Sequence, residues 1–291
     1  MTDGLTSTTT SITDINGNRA RIRVAGAETA PPVLMLHGLG RSLEDWCSQH
    51  DLLSAYRTIA VDMPGFGYST PPKAPMSVDV LAQGVIGITD RIIGERQLCV
   101  IGNSLGGAVA LQLLVNHPDR VASLVLVDAA GFGRKVHPLI RMLATPVIGS
   151  FAAKHPNRFS AALTERLCCA DPELVTQQRI DQTLAIARTA AHSDALHQTA
   201  RFIASPIGMR SGWRNELLAR ATSHTCPTLV VWGGRDRILP PTQLAAAHRA
   251  LPDTETHIFE GVGHMPQLEC PEAFAAVVSN FLTRSRRTLP N

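Results

Sequence analysis

Short runs of apolar residues recur along the chain, separated by stretches with helical spacing. Runs at 33–36, 58–61, 98–101, 121–127, 228–232 and 255–259 predict strands. Stretches at 43–56, 78–93, 108–115, 241–250 and 271–284 predict helices. Short buried strands alternating with helices predict a parallel sheet covered on both faces. Ahead of them, residues 14–25 hold two alternating stretches around Asn16-Gly17-Asn18, a hairpin signal.

The alternation stops at Gly133. From there to about Thr225 the pattern gives no strand, only helical stretches near 138–153, 158–169, 173–190 and 194–204. Pro146, Pro156, Pro172 and Pro206 separate them. The sequence therefore predicts an α/β core, residues 1–133 and 226–291. A helical cap, residues 134–225, is inserted after the sixth strand. Such a block sits over the carboxyl edge of the sheet, where open parallel sheets bind ligands.

Residues 97–117 organise the rest. The apolar run 98–101 leads directly into Gly102-Asn103-Ser104-Leu105-Gly106, and an apolar helical stretch follows up to His117-Pro118. Gly-x-Ser-x-Gly between strand and helix is the pattern of a nucleophile elbow. A turn that tight strains the serine backbone and lifts its hydroxyl clear of the chain. The positive end of the following helix lies beside it. Without the flanking strand and helix, the same five residues would be only a flexible turn.

A serine hydroxyl is a poor nucleophile at neutral pH and needs a base. His264 lies in Gly261-Val262-Gly263-His264-Met265-Pro266, on the loop after the last strand. Asp236 lies in Gly234-Arg235-Asp236, after the strand at 228–232. Both fall at the carboxyl edge, in the chain order Ser, Asp, His that accompanies the elbow. His264 would take the Ser104 proton, and Asp236 would hold the imidazole tautomer. Backbone N–H groups of Leu105 and of Leu39, in His37-Gly38-Leu39-Gly40, would receive the oxyanion. His37 reads as a brace for that loop. Asp128, which also ends a strand, is the rival acid, and Asp62 reads as a turn former.

Composition narrows the class. The chain has 291 residues, 44% hydrophobic and 18% charged, enough for a sizeable core. A net charge of +3 with one short basic run, Arg284-Ser285-Arg286-Arg287, does not suggest nucleic-acid binding. No apolar stretch approaches the ~20 residues of a membrane span. The Thr- and Ser-rich head, residues 1–13, lacks a signal-peptide pattern. The six cysteines form no CxxC pair, so free thiols in a reducing cytoplasm are expected. No His, Asp or Glu cluster has metal-ligand spacing, and no metal is expected.

Taken together, His37-Gly38, the stretch from Asp62 to Ser69, Gly102 to Gly107, Gly234-Arg235-Asp236 and Gly263-His264 resemble the α/β-hydrolase superfamily. The resemblance covers roughly 30–132 and 226–285. It implies an α/β fold with a mostly parallel eight-stranded sheet, helices on both sides, and no cofactor. Serine at 104 separates the chain from the branches that use an aspartate nucleophile. The stretch from Gly102 to Gly107 is similar to hydrolases that cleave the carbon–carbon bond of meta-ring-fission products, and to carboxylesterases and lipases. The carbon–carbon hydrolases place tryptophan after the catalytic histidine, where this chain has Met265. They also hold the substrate carboxylate with a cap arginine, for which Arg179 and Arg188 are the candidates.

The expectation is a serine carboxylesterase acting on small to medium hydrophobic acyl esters through an acyl-enzyme. A carbon–carbon hydrolase is the alternative, and a ligand-binding receptor on the same fold is the alternative from another class. Gly38, Asn103, Arg179, Arg188 and Met265 are candidate substrate contacts. Leu139, Ile140, Leu143, Val147, Ile148 and Phe151 form an apolar cap surface that packs on the core and lines an acyl pocket. The partner expected is a small hydrophobic molecule, and a homodimer is compatible with the sequence.

Overall fold

The computed structural model describes residues 8–15 and 17–288. Residues 1–7 of the Thr-rich head, and Asn16 of the expected hairpin turn, lie outside them. The chain opens with β1 (Thr9–Ile15), β2 (Asn18–Ala25) and β3 (Pro32–Leu36), then α1 (Cys47–Leu52) and β4 (Arg57–Val61). Next come α2 (Val78–Ile93), β5 (Leu98–Asn103), α3 (Leu105–Asn116) and β6 (Val121–Val127). Helices α4 (Pro138–Leu143), α5 (Pro146–Lys154), α6 (Arg158–Cys168), α7 (Gln177–Ala187) and α8 (Ala190–Ile203) follow without a strand of the main sheet. A small hairpin, β7 (Ala204–Ser205) and β8 (Gly208–Met209), leads into α9 (Ser211–Ala221). The chain then returns through β9 (Thr228–Gly233), α10 (Thr242–Ala250), β10 (Glu255–Phe259), α11 (Pro266–Glu269) and α12 (Pro271–Thr288).

The main sheet has eight strands in the order β1-β2-β4-β3-β5-β6-β9-β10. The first two strands pair antiparallel, β2 meets β4 antiparallel, and every pairing beyond is parallel. The mostly parallel eight-stranded architecture is thus the one expected. Strand order reverses between β3 and β5, which pair from Val33↔Cys99 to Leu36↔Gly102. Loops leaving adjacent strands at such a reversal diverge to opposite faces and open a crevice. The loops that open here are His37-Gly38-Leu39-Gly40 and the turn at Ser104.

Successive strand residues face opposite sides, and both sides are apolar. Leu34, Leu36, Val100, Leu124, Leu126 and Val230 join the core with α2 and α3. Val33, Met35, Ile101, Val125, Val127 and Val231 join the other core, with Trp46 and with Phe274 of α12. Helix α3 is apolar apart from Gln112 and Asn116, and every residue from Leu105 to Val115 is buried.

Several local expectations change. The expected helix at 43–56 is a single 3₁₀ turn, Leu43–Trp46, followed by the short α1. The expected helix at 138–153 is two helices, because Thr145 caps α5 through its Oγ1, which accepts from Gly149 N over 3.0 Å. The break turns Val147, Ile148 and Phe151 outward to solvent, away from the surface expected for them. Two elements in the inserted block were not anticipated, the β7–β8 hairpin and α9. Leu217 and Ala221 of α9 are buried in the same core as α3, so this last helix of the block packs on the sheet side.

Among the described residues no helix is long and apolar enough to cross a membrane. All six cysteines are free thiols, with Cys99, Cys168 and Cys169 buried and Cys47 exposed.

Candidate active site

Ser104 occupies the turn between β5 and α3 with φ 54° and ψ −114°. This left-handed conformation costs on the order of 1–3 kcal/mol and persists only where the surroundings enforce it. Two glycines do so. A Cβ on Gly102 would lie 2.2 Å from the Gly106 carbonyl oxygen, and one on Gly106 would lie 2.4 Å from that of Leu36. Only bare backbone lets strand and helix approach so closely. Ser104 N donates to Val127 O over 2.9 Å, which fixes the turn against β6.

The first loop lies directly on the serine. A Cβ on Gly38 would come within 3.3 Å of both Ser104 Cβ and Asn103 Oδ1. Buried His37 braces this loop. Its Nδ1–H donates to Gly38 O over 2.8 Å, and its Nε2 accepts from Met63 N over 3.0 Å. Burial pushes its pKa down, consistent with a neutral ring. Asp62 also holds loops, accepting from Leu43 N and Tyr68 N at 2.8 and 2.9 Å. Leu105 is the first residue of α3, so its amide has no partner inside the helix. Among the described residues neither the Leu39 nor the Leu105 amide has a protein acceptor.

His264 and Asp236 meet at the same edge. His264 Nδ1 lies 2.7 Å from Asp236 Oδ2, and both residues are buried. Asp236 Oδ1 accepts from Ile238 N and Leu239 N at 2.7 and 3.0 Å. The carboxylate is thereby fixed, and one oxygen is left for the imidazole. The His264 backbone bridges two parts of the chain. Its N–H donates to Cys168 O at the end of α6 over 2.9 Å. Its carbonyl accepts from Asn103 Nδ2 over 3.0 Å.

Asp128 stands behind this pair. It is fully buried, with φ 45°, and its Oδ1 accepts from Gly233 N over 2.8 Å. Among the described residues its Oδ2 has no hydrogen-bond partner. Donor atoms of Asp128, Asp236 and His264 all lie within 4.8 Å of one another, a set that could hold a cation. Burial, and then the neighbouring Asp236, push the Asp128 pKa well up, in the direction of the neutral acid. A shift toward the neutral acid beside a fixed carboxylate suits a hydrogen bond better than a metal.

The other candidates fall elsewhere. Arg179 gives Nε and Nη2 to Glu165 Oε2 at 2.9 and 2.7 Å. Glu165 also pairs with Arg41 of the first loop, which chelates Asp45 in turn. Arg188 is exposed at the end of α7. Met265 is buried among Cys168, Cys169 and Ile238.

A cavity of about 150 Å³ lies between the first loop and the inserted helices, lined by Leu39, Leu139, Leu143, Ala161, His192 and Leu196 among others. Sequence reasoning missed His192, because a histidine in a helical stretch carries no positional signal. It is buried, its Nδ1 has no hydrogen-bond partner among the described residues, and its ring meets Phe66 edge-on at 5.8 Å. Burial, then nearby His37, push its pKa down to about 4.

A strained serine at a β-strand–helix turn, with a buried His–Asp pair at the same sheet edge, defines a hydrolase-type α/β protein. The model of the α/β hydrolase fold family matches residues 31–271, and the chain belongs to that family. It is 33% identical over 273 residues to the dihydrolipoyllysine-residue acetyltransferase component of the acetoin cleaving system of Pseudomonas putida, covering 93% of this chain and 68% of that one. It is 30% identical over 280 residues to 2-hydroxymuconate semialdehyde hydrolase of Pseudomonas sp. strain CF600, covering 92% of each. Among solved structures, a bacterial membrane phospholipase A superposes with a TM-score of 0.79 at 26% identity, covering 96% of this chain and 87% of that one. Family and relatives together support hydrolase chemistry.

Proposed function

We propose that this protein is a serine carboxylesterase for hydrophobic acyl esters, working through an acyl-enzyme on Ser104. The observation that carries the reading is the 2.7 Å contact between His264 Nδ1 and Asp236 Oδ2, at the edge where the strained Ser104 turn emerges. With Nδ1–H donated to Asp236, Nε2 is the free base. His264 takes the Ser104 proton as Oγ attacks the ester carbonyl. The oxyanion is received by the Leu39 and Leu105 N–H groups. Collapse expels the alkoxide, which takes the proton back from His264 and leaves as the alcohol. Water, deprotonated by His264, then attacks the acyl-enzyme and releases the acid.

The cavity above Leu39 is the natural acyl pocket under this reading, since its lining is largely apolar. Its one buried histidine, His192, offers a polar group to the acyl part. Domain division follows the same logic, with residues 134–225 acting as the cap over the site.

Similarity to 2-hydroxymuconate semialdehyde hydrolase favours a second reading, carbon–carbon bond hydrolysis. Against it, Arg179 is engaged by Glu165, and Arg188 is exposed. Neither is a ready clamp for a substrate carboxylate. The test is a rate profile over an ester chain-length series run beside one meta-fission product, with a fluorophosphonate probe. The proposal expects ester turnover, labelling of Ser104 in the wild type, and no labelling of Ser104→Ala or His264→Ala. Faster turnover of the meta-fission product than of every ester would sink the ester reading. Absence of labelling would sink the mechanism.

A further inference from the structure

A second groove, whose lining does not include Ser104, His264 or Asp236, is unused by the mechanism above. It has a volume of about 760 Å³ and lies where the inserted block leaves and rejoins the core. Arg134 stands on the outgoing connection after β6. Arg201 belongs to the end of α8, Arg210 precedes α9, and Arg214 is in its first turn. Phe202 and Trp213 complete the wall.

Four guanidiniums on one groove repel one another, and proteins ordinarily offset such a cluster with carboxylates. Among the described residues no Asp or Glu lines the groove. Among the described residues, none of the four arginines makes an ion pair. The first turn of α9 contains no acid and no side-chain cap, so its N–H groups add a further positive end. Burial, then the neighbouring Arg134, lower the Arg214 pKa.

The groove is also built rather than loose. Arg210 Nε donates to Arg201 O and Ala204 O, both at 2.9 Å. Arg214 Nε donates to Arg210 O over 3.0 Å. The Arg134 carbonyl accepts from Met209 N over 2.9 Å, which ties the outgoing connection to the hairpin. Trp213 Nε1 donates to Ile203 O over 3.0 Å, so the indole is fixed, 6.4 Å from the Phe202 ring.

We infer that this groove binds a small ligand carrying a diphosphate and a flat ring, of the nucleoside diphosphate class. Guanidiniums match phosphate oxygens in paired hydrogen bonds, and the helix terminus favours the same charge. The fixed indole supplies a face for the ring. Its volume is within the range of small-molecule sites. A ligand there bridges Arg134 on the connection after β6 and Arg214 in the first turn of α9.

Trp46 and Trp232 are fully buried, so Trp213 is the tryptophan placed to report binding. The test is titration of intrinsic fluorescence with ADP, inorganic pyrophosphate and adenosine at fixed ionic strength. It uses the full-length wild type and an Arg134→Ala/Arg214→Ala variant. The inference expects saturable ADP binding to the wild type, at least ~10-fold weaker binding to the variant, and weaker binding as salt rises. The variant should keep its circular dichroism spectrum and the wild-type rate of ester or meta-fission hydrolysis. Loss of fold is checked separately in the single Arg134→Ala variant, which should show an intermediate affinity. No saturable response to ADP or pyrophosphate, or equal affinity in wild type and variants, overturns the site. Pyrophosphate binding as tightly as ADP overturns the part assigned to the ring.

Discussion

Asn103 Nδ2 donates to the backbone carbonyl of His264 over 3.0 Å, joining the residue before the elbow serine to the loop that carries the histidine. The same Nδ2 reaches Val127 O at 3.3 Å. One amide therefore sets the distance between the β5 turn and the His264 loop. Asn103→Ala leaves a buried carbonyl unpaired, at a cost of roughly 1–3 kcal/mol. The expected outcome is a kcat about tenfold lower with KM within about twofold, since misplacement acts on the chemical step. Steady-state kinetics on the preferred ester checks this, and an unchanged kcat would remove the positioning role.

Asp128 and Asp236 pose the question of which acid orients the histidine. The 2.7 Å contact belongs to Asp236, while burial and Asp236 itself push the pKa of Asp128 well up and favour its neutral form. A protonated carboxyl and an asparagine amide can both donate a hydrogen bond. Asp128→Asn should therefore retain activity within about tenfold, whereas Asp236→Asn should lose on the order of 10⁴ in kcat, as loss of the orienting acid does elsewhere. The reverse ranking would make Asp128 the orienting acid.

Buried Arg41 and Glu165 and half-buried Arg179 form a chain from the first loop to the inserted helices. Burial alone would raise the Glu165 pKa, but Arg41 and Arg179 outweigh it and hold it at about 2. The sign follows. A depressed carboxylate contributes stability above its unfolded pKa, near 4.3, and loses that contribution as pH falls toward 2. Glu165→Gln leaves two arginines without their shared partner, one of them buried, and should cost roughly 3–5 kcal/mol. Denaturant melts at neutral pH check the size. The gap between wild type and variant should narrow as the pH is lowered from about 5 toward 3.

The parts of the molecule that were legible in the sequence are those where neighbouring residues carry the signal. The apolar run Leu98 to Ile101, Gly102, Gly106 and the helical stretch after them lie together, and they form β5, the turn and α3. Asp236 and His264 could be placed at the sheet edge because each follows a strand. Features made by distant residues were not legible. Arg179 reads as a free cation until Glu165, fourteen residues away, is seen to hold it. Helix α9 was hidden because its surface is polar and only Leu217 and Ala221 are buried. The outward turn of Val147 and Ile148 depends on one Thr145 cap, which a near-helical spacing count passes over.

His192 gives the last prediction. Its ring is buried beside the cavity, and burial then His37 lower its pKa to about 4, so at neutral pH it is a neutral group next to apolar Leu196 and Leu39. In the unfolded chain it would titrate near 6.5. The folded state therefore binds fewer protons between these values. Its contribution to stability is present above about pH 6.5 and falls as the pH is lowered toward 4, by at most ~3 kcal/mol. His50 is lowered to about 4 by burial and then Arg23, so it works in the same direction and window. His37 is also lowered by burial, so replacing His192 with Leu removes one of several groups acting in this direction. The wild-type Tm should drop on going from pH 7 to pH 4.5, and His192→Leu should drop by visibly less. An equal drop in both would mean that His192 is not buried as a neutral ring. The same substitution distinguishes packing from recognition. If the free Nδ1 contacts the acyl part, His192→Leu should raise KM for acyl groups carrying a polar substituent and leave it unchanged for plain aliphatic ones.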